Sequence, residues 1–501
     1  MSSNILISRI ESLAETEGSG KAVCFRRESL TFAELLQKMK RVAGALREMD
    51  IQPGACVLYS SVTKPMGIAF YLGILYAGCT AVHIDKNSTP ENAFAIYDAA
   101  GAAAFLTDMR MDHYPDGYRV ASMKEIWENE QGLSLENAVE TDPETVAEMI
   151  FTSGTTGSPK GVMLSTRAVN SIIRHTKEGL GIRGDDIVLI PLPLHHSLGL
   201  RVLRASLYSG AAVVLQNGFA FAGEIEKNLD NWHCTGLASV PASMELMRGQ
   251  MKDRFYEVMS RFRFIEVGAG ALTPEQRKRL TAHLPDTELN NTWGSSETGG
   301  ALFTKVHEAV KSADTLTTIG KPLPDIEVRI LDTDGQPMET TDREHPGRLA
   351  LKGGMIMSGY CGRPDLTADA LRDGWLVTGD MVYADDSGYV YMLGRADDLI
   401  NVGGEKVSPL EIENAASEFP GMKECACIGV ADDTLGLGQV PVLFVVTEGE
   451  FNGQELMSFL SGHIERIKLP QKMIPLEAVP RNKMQKIDRK ALRALWEKQY
   501  S

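Results

Sequence analysis

The chain has little that would point to an extracellular scaffold, a nucleic-acid partner or a membrane. Its seven cysteines (24, 56, 79, 234, 361, 425 and 427) include no C-x-x-C pair. That excludes a disulfide framework and a zinc ribbon, and the thiols read as those of a reduced, cytosolic protein. Positive charge is in short supply: 51 Lys and Arg stand against 66 Asp and Glu, a net charge of −15. Such a chain is a poor general binder of DNA, RNA or anionic lipid. Residues 1–20 lack an apolar core and carry Glu11, Glu15 and Glu17, so they are not expected to be a signal peptide. The longest uncharged run, Met66–Val82, contains Gly67, Gly73 and Gly78. It reads as a buried helix followed by a buried strand rather than a membrane span. Internal repeats and low-complexity tracts are absent.

What is there is the balance of a globular protein, 43% hydrophobic and 23% charged over 501 residues, long enough for more than one domain. The acidity is uneven. Residues 463–501 hold ten Lys/Arg against four Asp/Glu, a local charge of +6 that leaves −21 for the rest. A basic tail of this kind suits a piece that meets a polyanion.

The N-terminal part alternates helix and strand signals. Thr31-Phe-Ala-Glu34 is a capping box, followed by apolar residues at helical spacing from 32 to 49. Strands are expected at Ala55–Tyr59, near 81–84 and at Ala104–Thr107, with helices at about 64–77 and from Thr89-Pro90 onward. Alternation of this type predicts an α/β fold with βα-layered subdomains and largely parallel sheet. Residues 325–394 differ, with short alternating runs between Asp-Gly and Ser-Gly turns, which predicts an antiparallel, barrel-like subdomain. Beyond Gly394 a second capping box at Ser408-Pro-Leu-Glu411, a strand at Val442–Val446 entered after Pro441, and a helix at 452–466 predict a small α+β domain. The expected division is a domain of residues 1–396 and a mobile domain of residues 397–501.

The strongest chemical signal runs from Thr152 to Gly161, TSGTTGSPKG, after a strand-like Ala147–Phe151. Three glycines allow close backbone approach, the hydroxyls of Thr152, Ser153, Thr155, Thr156 and Ser158 can donate to phosphate oxygens, and Lys160 adds a cation. That is the physics of a phosphate cradle. The spacing is not that of a Walker A loop.

TSGTTGSPKG resembles the phosphate loop of the adenylate-forming superfamily: acyl-CoA synthetases, adenylation domains and luciferases. The family's other motifs follow in order. Pro193 to Gly199, Gly268 to Leu272, Thr292 to Thr298 (TWGSSET), Trp375 to Asp380 (WLVTGD), Gly394 to Asp398 (GRADD), Gly403 to Lys406 and Pro480 to Leu492 each resemble one of them. The resemblance spans nearly the whole chain.

It implies two half-reactions: joining a carboxylate to ATP as acyl-AMP, then passing the acyl group to a thiol. Lys486 would bridge carboxylate and α-phosphate, and Glu297 would hold Mg²⁺. The phosphate cradle would be Thr152, Ser153, Gly154, Thr155, Thr156, Gly157 and Lys160, with Ser296 also on phosphate oxygens. Asp380 would accept from the ribose hydroxyls, with Arg395 beside it. Trp293 would stack on adenine against Gly268, Ala269 and Gly270. Asp397 is the implied hinge, and Gly403 and Gly404 would line a tunnel for the pantetheine thiol after domain rotation.

His196 stands where amino-acid-activating relatives place an aspartate for the substrate ammonium, so a plain carboxylic acid is expected. Gly294 stands where acetate-type members place a tryptophan. With His196 and Gly268 it would line an acyl pocket open to a medium- or long-chain or aromatic acid. The length leaves no room for the insertion of fatty-acyl-AMP ligases, so CoA is the expected acceptor, with a carrier-protein thiol as the alternative. A non-catalytic nucleotide-binding relative is the alternative of another class, and a homodimer is left open. Three residues depart from the family pattern: Gln485 replaces a glycine, Arg348 an acidic residue and Ser296 a threonine.

Overall fold

A computed structural model describes residues 3–499 apart from 111–113, 115, 153–159, 433–437 and 483–485. The fold is mixed α/β, a large N-terminal part built on two sheets and a small C-terminal part on a third. The larger sheet has 14 strands. Its parallel block runs from Lys21–Phe25 through Ala212–Leu215, Ile187–Ile190, Gly236–Ser239 and Phe264–Gly268 to Glu288–Ser295. Pairing then turns antiparallel through Gly299–Lys305, Thr318–Pro322, Val390–Arg395, Trp375–Ala384 and Gly347–Lys352 to Glu327–Leu331. The region expected as barrel-like is thus antiparallel. It continues the large sheet through Thr318–Pro322, and the path among the described residues ends open at Glu327–Leu331.

The second sheet has seven strands. Cys56–Ser61, Thr80–Asp85 and Val146–Thr152 are its parallel centre, and Lys160–Ser165 returns antiparallel beside Val146–Thr152. The Pro65–Tyr76 helix is buried at eleven of its positions. It packs against Cys56–Ser61 and Thr80–Asp85 of this sheet and against the Lys21–Phe25 hairpin of the other. A helix apolar all round belongs in such a layer, which is why the uncharged run is core. The Thr31 capping box forms with both of its bonds, Glu34 N to Thr31 Oγ1 at 3.2 Å and Thr31 N to Glu34 Oε2 at 2.8 Å. No helix among the described residues is long and apolar enough to cross a membrane.

The third sheet, five-stranded, uses Ile400–Val402, Glu405–Val407, Met422–Asp432, Gly438–Thr447 and Lys472–Pro475. Three expectations need correction here. Pro441 lies inside the Gly438–Thr447 strand rather than before it. Parallel pairing with Lys472–Pro475 begins only at Val442, so no ladder bond on that side needs a proline N–H. The Ser408–Glu411 box is half made: Ser408 caps the Glu411 N–H at 3.2 Å, while the Glu411 carboxylate is drawn away to Arg343 and Lys468. The helix expected at 452–466 is Gly453–Ser461, followed by a 3-10 turn at Arg466–Lys468.

Candidate active site

Four motifs distant in sequence converge at the C-terminal end of the parallel block. Thr152 and Lys160 end adjacent antiparallel strands as register partners, so they flank the phosphate loop at its two exits. Ser153, Gly154, Thr155, Thr156 and Gly157 lie outside the described residues. Trp293, Gly294, Ser296 and Glu297 follow the next edge, where Glu288–Ser295 turns back into Gly299–Lys305. Asp380 and Arg395 are register partners on neighbouring strands, which sets the Arg395 Nε 3.4 Å from an Asp380 oxygen. Burial pushes the Asp380 carboxyl up from its ordinary value. Arg395, Lys486 and the Trp293 indole pull it back.

Lys486 reaches this cluster from the small domain. Its loop is closed by pairing of Arg481 with Ile487 and by the Lys486 N–H on Asn482 Oδ1 at 3.1 Å. Arg489 anchors the loop to the small domain's core through the buried Glu413 at 2.5 Å. Although Lys486 is an exposed residue, protein crowding around its amine lowers its pKa. The Asp380 carboxylate opposes that most, Arg395 adds to it, and Glu297 opposes it. The amine thus lies in the field of two carboxylates. Gln485 lies outside the described residues.

His196 begins the Ser197–Ser209 helix without capping it. Its ring lies 4.2 Å from that of His195. Burial, then His195, pushes its pKa down to about 4, so it is neutral at physiological pH and offers no charge to a substrate.

The glycines need a more careful reading. A Cβ on Gly294 would sit 1.8 Å from the Gly299 carbonyl oxygen, at the register shift between Trp293 and Gly294. The missing side chain serves the close approach of two strands. A Cβ on Gly268 would meet Leu198 Cδ1 at 2.6 Å, so Leu198 closes over that side of the loop. Gly403 and Gly404 form the exposed tip of the Ile400–Val402 and Glu405–Val407 hairpin, with φ of 60° and 96°. Nothing lies within 4 Å of a Cβ at Gly404. In this orientation of the small domain they line no tunnel. Asp397 is exposed in the turn between Arg395 and Ile400.

Three residues beyond the motifs matter. Asn291, buried, donates to the Val267 and Gly270 carbonyls at 2.7 and 3.0 Å and accepts from the Leu272 N–H and Arg277. It therefore staples the Gly268–Gly270 loop, which carries Ala269 at a left-handed φ of 61°. Arg348, one of the departures, donates twice to the Thr378 carbonyl at 3.2 and 3.1 Å, bracing the strand two residues before Asp380. Tyr360 donates to Glu297 Oε1 at 2.9 Å. A pattern of residue types carries no trace of these contacts, because each depends on which strands become neighbours.

Among the described residues no group of three or more His, Cys, Asp or Glu could hold a metal. A single carboxylate suits Mg²⁺ completed by substrate phosphates and water, which is how that ion is commonly held. Glu297 is half-buried, and one of its oxygens accepts from Tyr360.

The model of the AMP-binding enzyme family matches residues 10–361, and that of the AMP-binding enzyme C-terminal domain matches 411–486. A 2-succinylbenzoate–CoA ligase of Bacillus cereus (strain Q1) is 30% identical over 493 residues, covering 95% of this chain and 96% of the relative. One of Bacillus mycoides is 29% identical over 484 residues, covering 95% and 96%. The structure superposes on o-succinylbenzoate CoA synthetase of Bacillus subtilis in complex with its acyl-adenylate intermediate, with a TM-score of 0.84, 26% identity and 98% of both chains covered. ATP-bound MatB of Rhodopseudomonas palustris gives a TM-score of 0.88 at 22% identity over the whole of both chains. The chain belongs to the AMP-binding enzyme family and, by class, is an AMP-forming acyl-CoA ligase.

Proposed function

We propose that the chain activates an aromatic or medium- to long-chain carboxylic acid with ATP, giving acyl-AMP and pyrophosphate, and then transfers the acyl group to the thiol of CoA. The relatives' names favour the aromatic branch. The observation that carries the reading is the convergence of Lys486 on Asp380 and Glu297, with His196 also within its field. A carboxylate attacking an α-phosphate brings two anions together, so catalysis needs positioning and a cation at the point of attack. Lys486 supplies that cation when the small domain sits as it does here. Asp380 takes the ribose hydroxyls, Arg395 flanks them, and Trp293 faces adenine across the Gly268–Gly270 loop. Thr152, Lys160, Ser296 and the loop between them take the phosphates. Glu297 holds Mg²⁺, which supplies charge neutralisation on those phosphates. Neutral His196 fits an acid that carries no ammonium beside its carboxylate.

The second half-reaction needs another orientation. Rotation at Asp397, the boundary between residues 1–396 and 397–501, would withdraw Lys486 and bring the Gly403–Gly404 hairpin to the site. Dependence on ATP and CoA, together with reduced cysteines, supports a cytoplasmic location.

A pyrophosphate-release screen with 2-succinylbenzoate, benzoate, octanoate and acetate, with and without CoA, tests the assignment. Aryl or octanoyl acids should turn over far faster than acetate, and thioester should form only with CoA. Lys486→Ala should lower acyl-AMP formation by about 10²–10³-fold while ATP still binds. Unchanged adenylation in that variant would overturn the reading.

A further inference from the structure

We infer that Tyr360 is a positioning residue that ties the metal-binding carboxylate to the trailing lysine of the phosphate loop. The inference rests on the reading of Glu297 as the Mg²⁺ ligand, and deepens it. The segment Met357–Cys361 is stitched to both parts of the site. On one side the Met357 N–H donates to the Glu297 carbonyl at 2.9 Å, and the Tyr360 hydroxyl donates to Glu297 Oε1 at 2.9 Å. Backbone and carboxylate of the same residue are thus held by one short stretch. On the other side, Gly359–Tyr360 pairs with Lys160–Ser165, Tyr360 opposite Val162, and the Cys361 N–H donates to the Gly161 carbonyl at 2.8 Å. This register sets the Lys160 ammonium over the Tyr360 ring, 5.6 Å from its centroid, within reach of a cation–π attraction. The Tyr360 N–H is fixed in turn on Thr367 Oγ1 at 2.9 Å.

Each half of the tyrosine therefore has a task. The hydroxyl takes one oxygen of Glu297 and fixes the carboxylate plane, so that the second oxygen, which carries no hydrogen bond among the described residues, keeps one direction. The ring steers Lys160 at the exit of the phosphate loop. A hydrogen-bond partner of a metal ligand typically governs metal affinity at this level.

Two variants of the full-length chain separate the halves. Tyr360→Phe keeps the ring and removes the hydroxyl; Tyr360→Leu removes both. Mn²⁺–ATP binding, followed by the Mn²⁺ electron paramagnetic resonance signal without any acid present, should weaken about tenfold in Tyr360→Phe. The Mg²⁺ concentration for half-maximal pyrophosphate release should rise in step, with the KM of the acid unchanged. Tyr360→Leu should add a further increase of about two- to fivefold in the KM for ATP. Metal binding that is unchanged or tighter in Tyr360→Phe overturns the role of the hydroxyl, and equal ATP constants in the two variants overturn that of the ring. Failure of the unaltered chain to bind metal–ATP would instead bring down the proposed function itself.

Discussion

The charges under the active site and the charges at the domain junction are arranged in opposite ways. Beneath the site, the Ser197–Ser209 helix carries two buried arginines. Arg204 meets Glu148 of the seven-stranded sheet at 2.5 Å, and Glu148 also accepts from Tyr71. Arg201 meets Glu266 of the larger sheet, and Glu266 accepts from Thr292 at 2.9 Å. One helix is thus riveted to both sheets by ion pairs shut away from water, with His196 at its tip. At the junction, Lys278 faces Glu418 at 3.6 Å with both side chains in solvent. The half-buried Glu411 meets the exposed Arg343 across it, and Ser408 donates to the Leu393 carbonyl. Desolvated pairs are costly to break, whereas solvated ones contribute little. The first set suits a frame that must not move between half-reactions. The second suits a contact able to form and release, as the proposed rotation at Asp397 requires.

Four experiments can break or sharpen that contrast. Arg204→Met strands Glu148 in the core and should remove about 3–5 kcal/mol of stability in urea unfolding. A loss below about 1 kcal/mol would put the buried pair in the same class as the junction. The second concerns His83, whose Nδ1 lies 2.7 Å from the Tyr59 hydroxyl and whose pKa burial lowers from 6.5 to about 4. Above about pH 6.5 the imidazole is neutral in folded and unfolded chains alike, and its contribution is intact. Between 6.5 and about 4 only the unfolded chain takes up the proton, so stability falls with pH, by about 3 kcal/mol in all. His83→Gln should flatten this slope in unfolding curves recorded across that range; an unchanged slope would show that another group sets it.

The third moves to the small domain. For Gly404→Leu, the added Cβ meets no atom within 4 Å in the present orientation, though the φ there is unfavourable for a side chain. Thioester formation should fall about tenfold, a barrier increase of about 1.4 kcal/mol, with adenylation little changed. Equal loss in both half-reactions would contradict the tunnel role. The smallest effect is expected for Arg343→Ala, which removes an exposed partner of Glu411. Stability should change by less than about 1 kcal/mol, while the ratio of the two half-reaction rates shifts, less so at high salt. A salt-independent ratio would mean that the junction is not electrostatic.

How far the sequence could be read depends on whether a residue's role is local. The Thr31 box, the apolar Pro65–Tyr76 helix and the alternation of strands and helices are set by neighbours in the chain, and they form as expected. Asp380 and Arg395 were recognisable through motif resemblance, and the structure adds the reason for their pairing, one register position shared by adjacent strands. Tyr360, Asn291 and Arg348 were illegible, since each acts on a backbone or carboxylate brought near only by sheet assembly. Glu411 misled because two cations from elsewhere compete with its own helix end. Gly294 adds a further case: its lack of a side chain also admits a carbonyl from the returning strand, a contact that no spacing rule foresees.

The pairing of Lys21–Phe25 with Ala212–Leu215 also bears on how the chain is made. This strand, whose other neighbour is Glu28–Thr31, cannot enter its parallel ladder until residues 212–215 have emerged from the ribosome. At about 5–20 residues per second that is a wait on the order of ten seconds or more. During it the greasy Pro65–Tyr76 helix has only part of its eventual cover. Biosynthesis therefore passes through a stage in which the nascent chain is a natural client for chaperones, and slow codons before position 212 would lengthen that exposure.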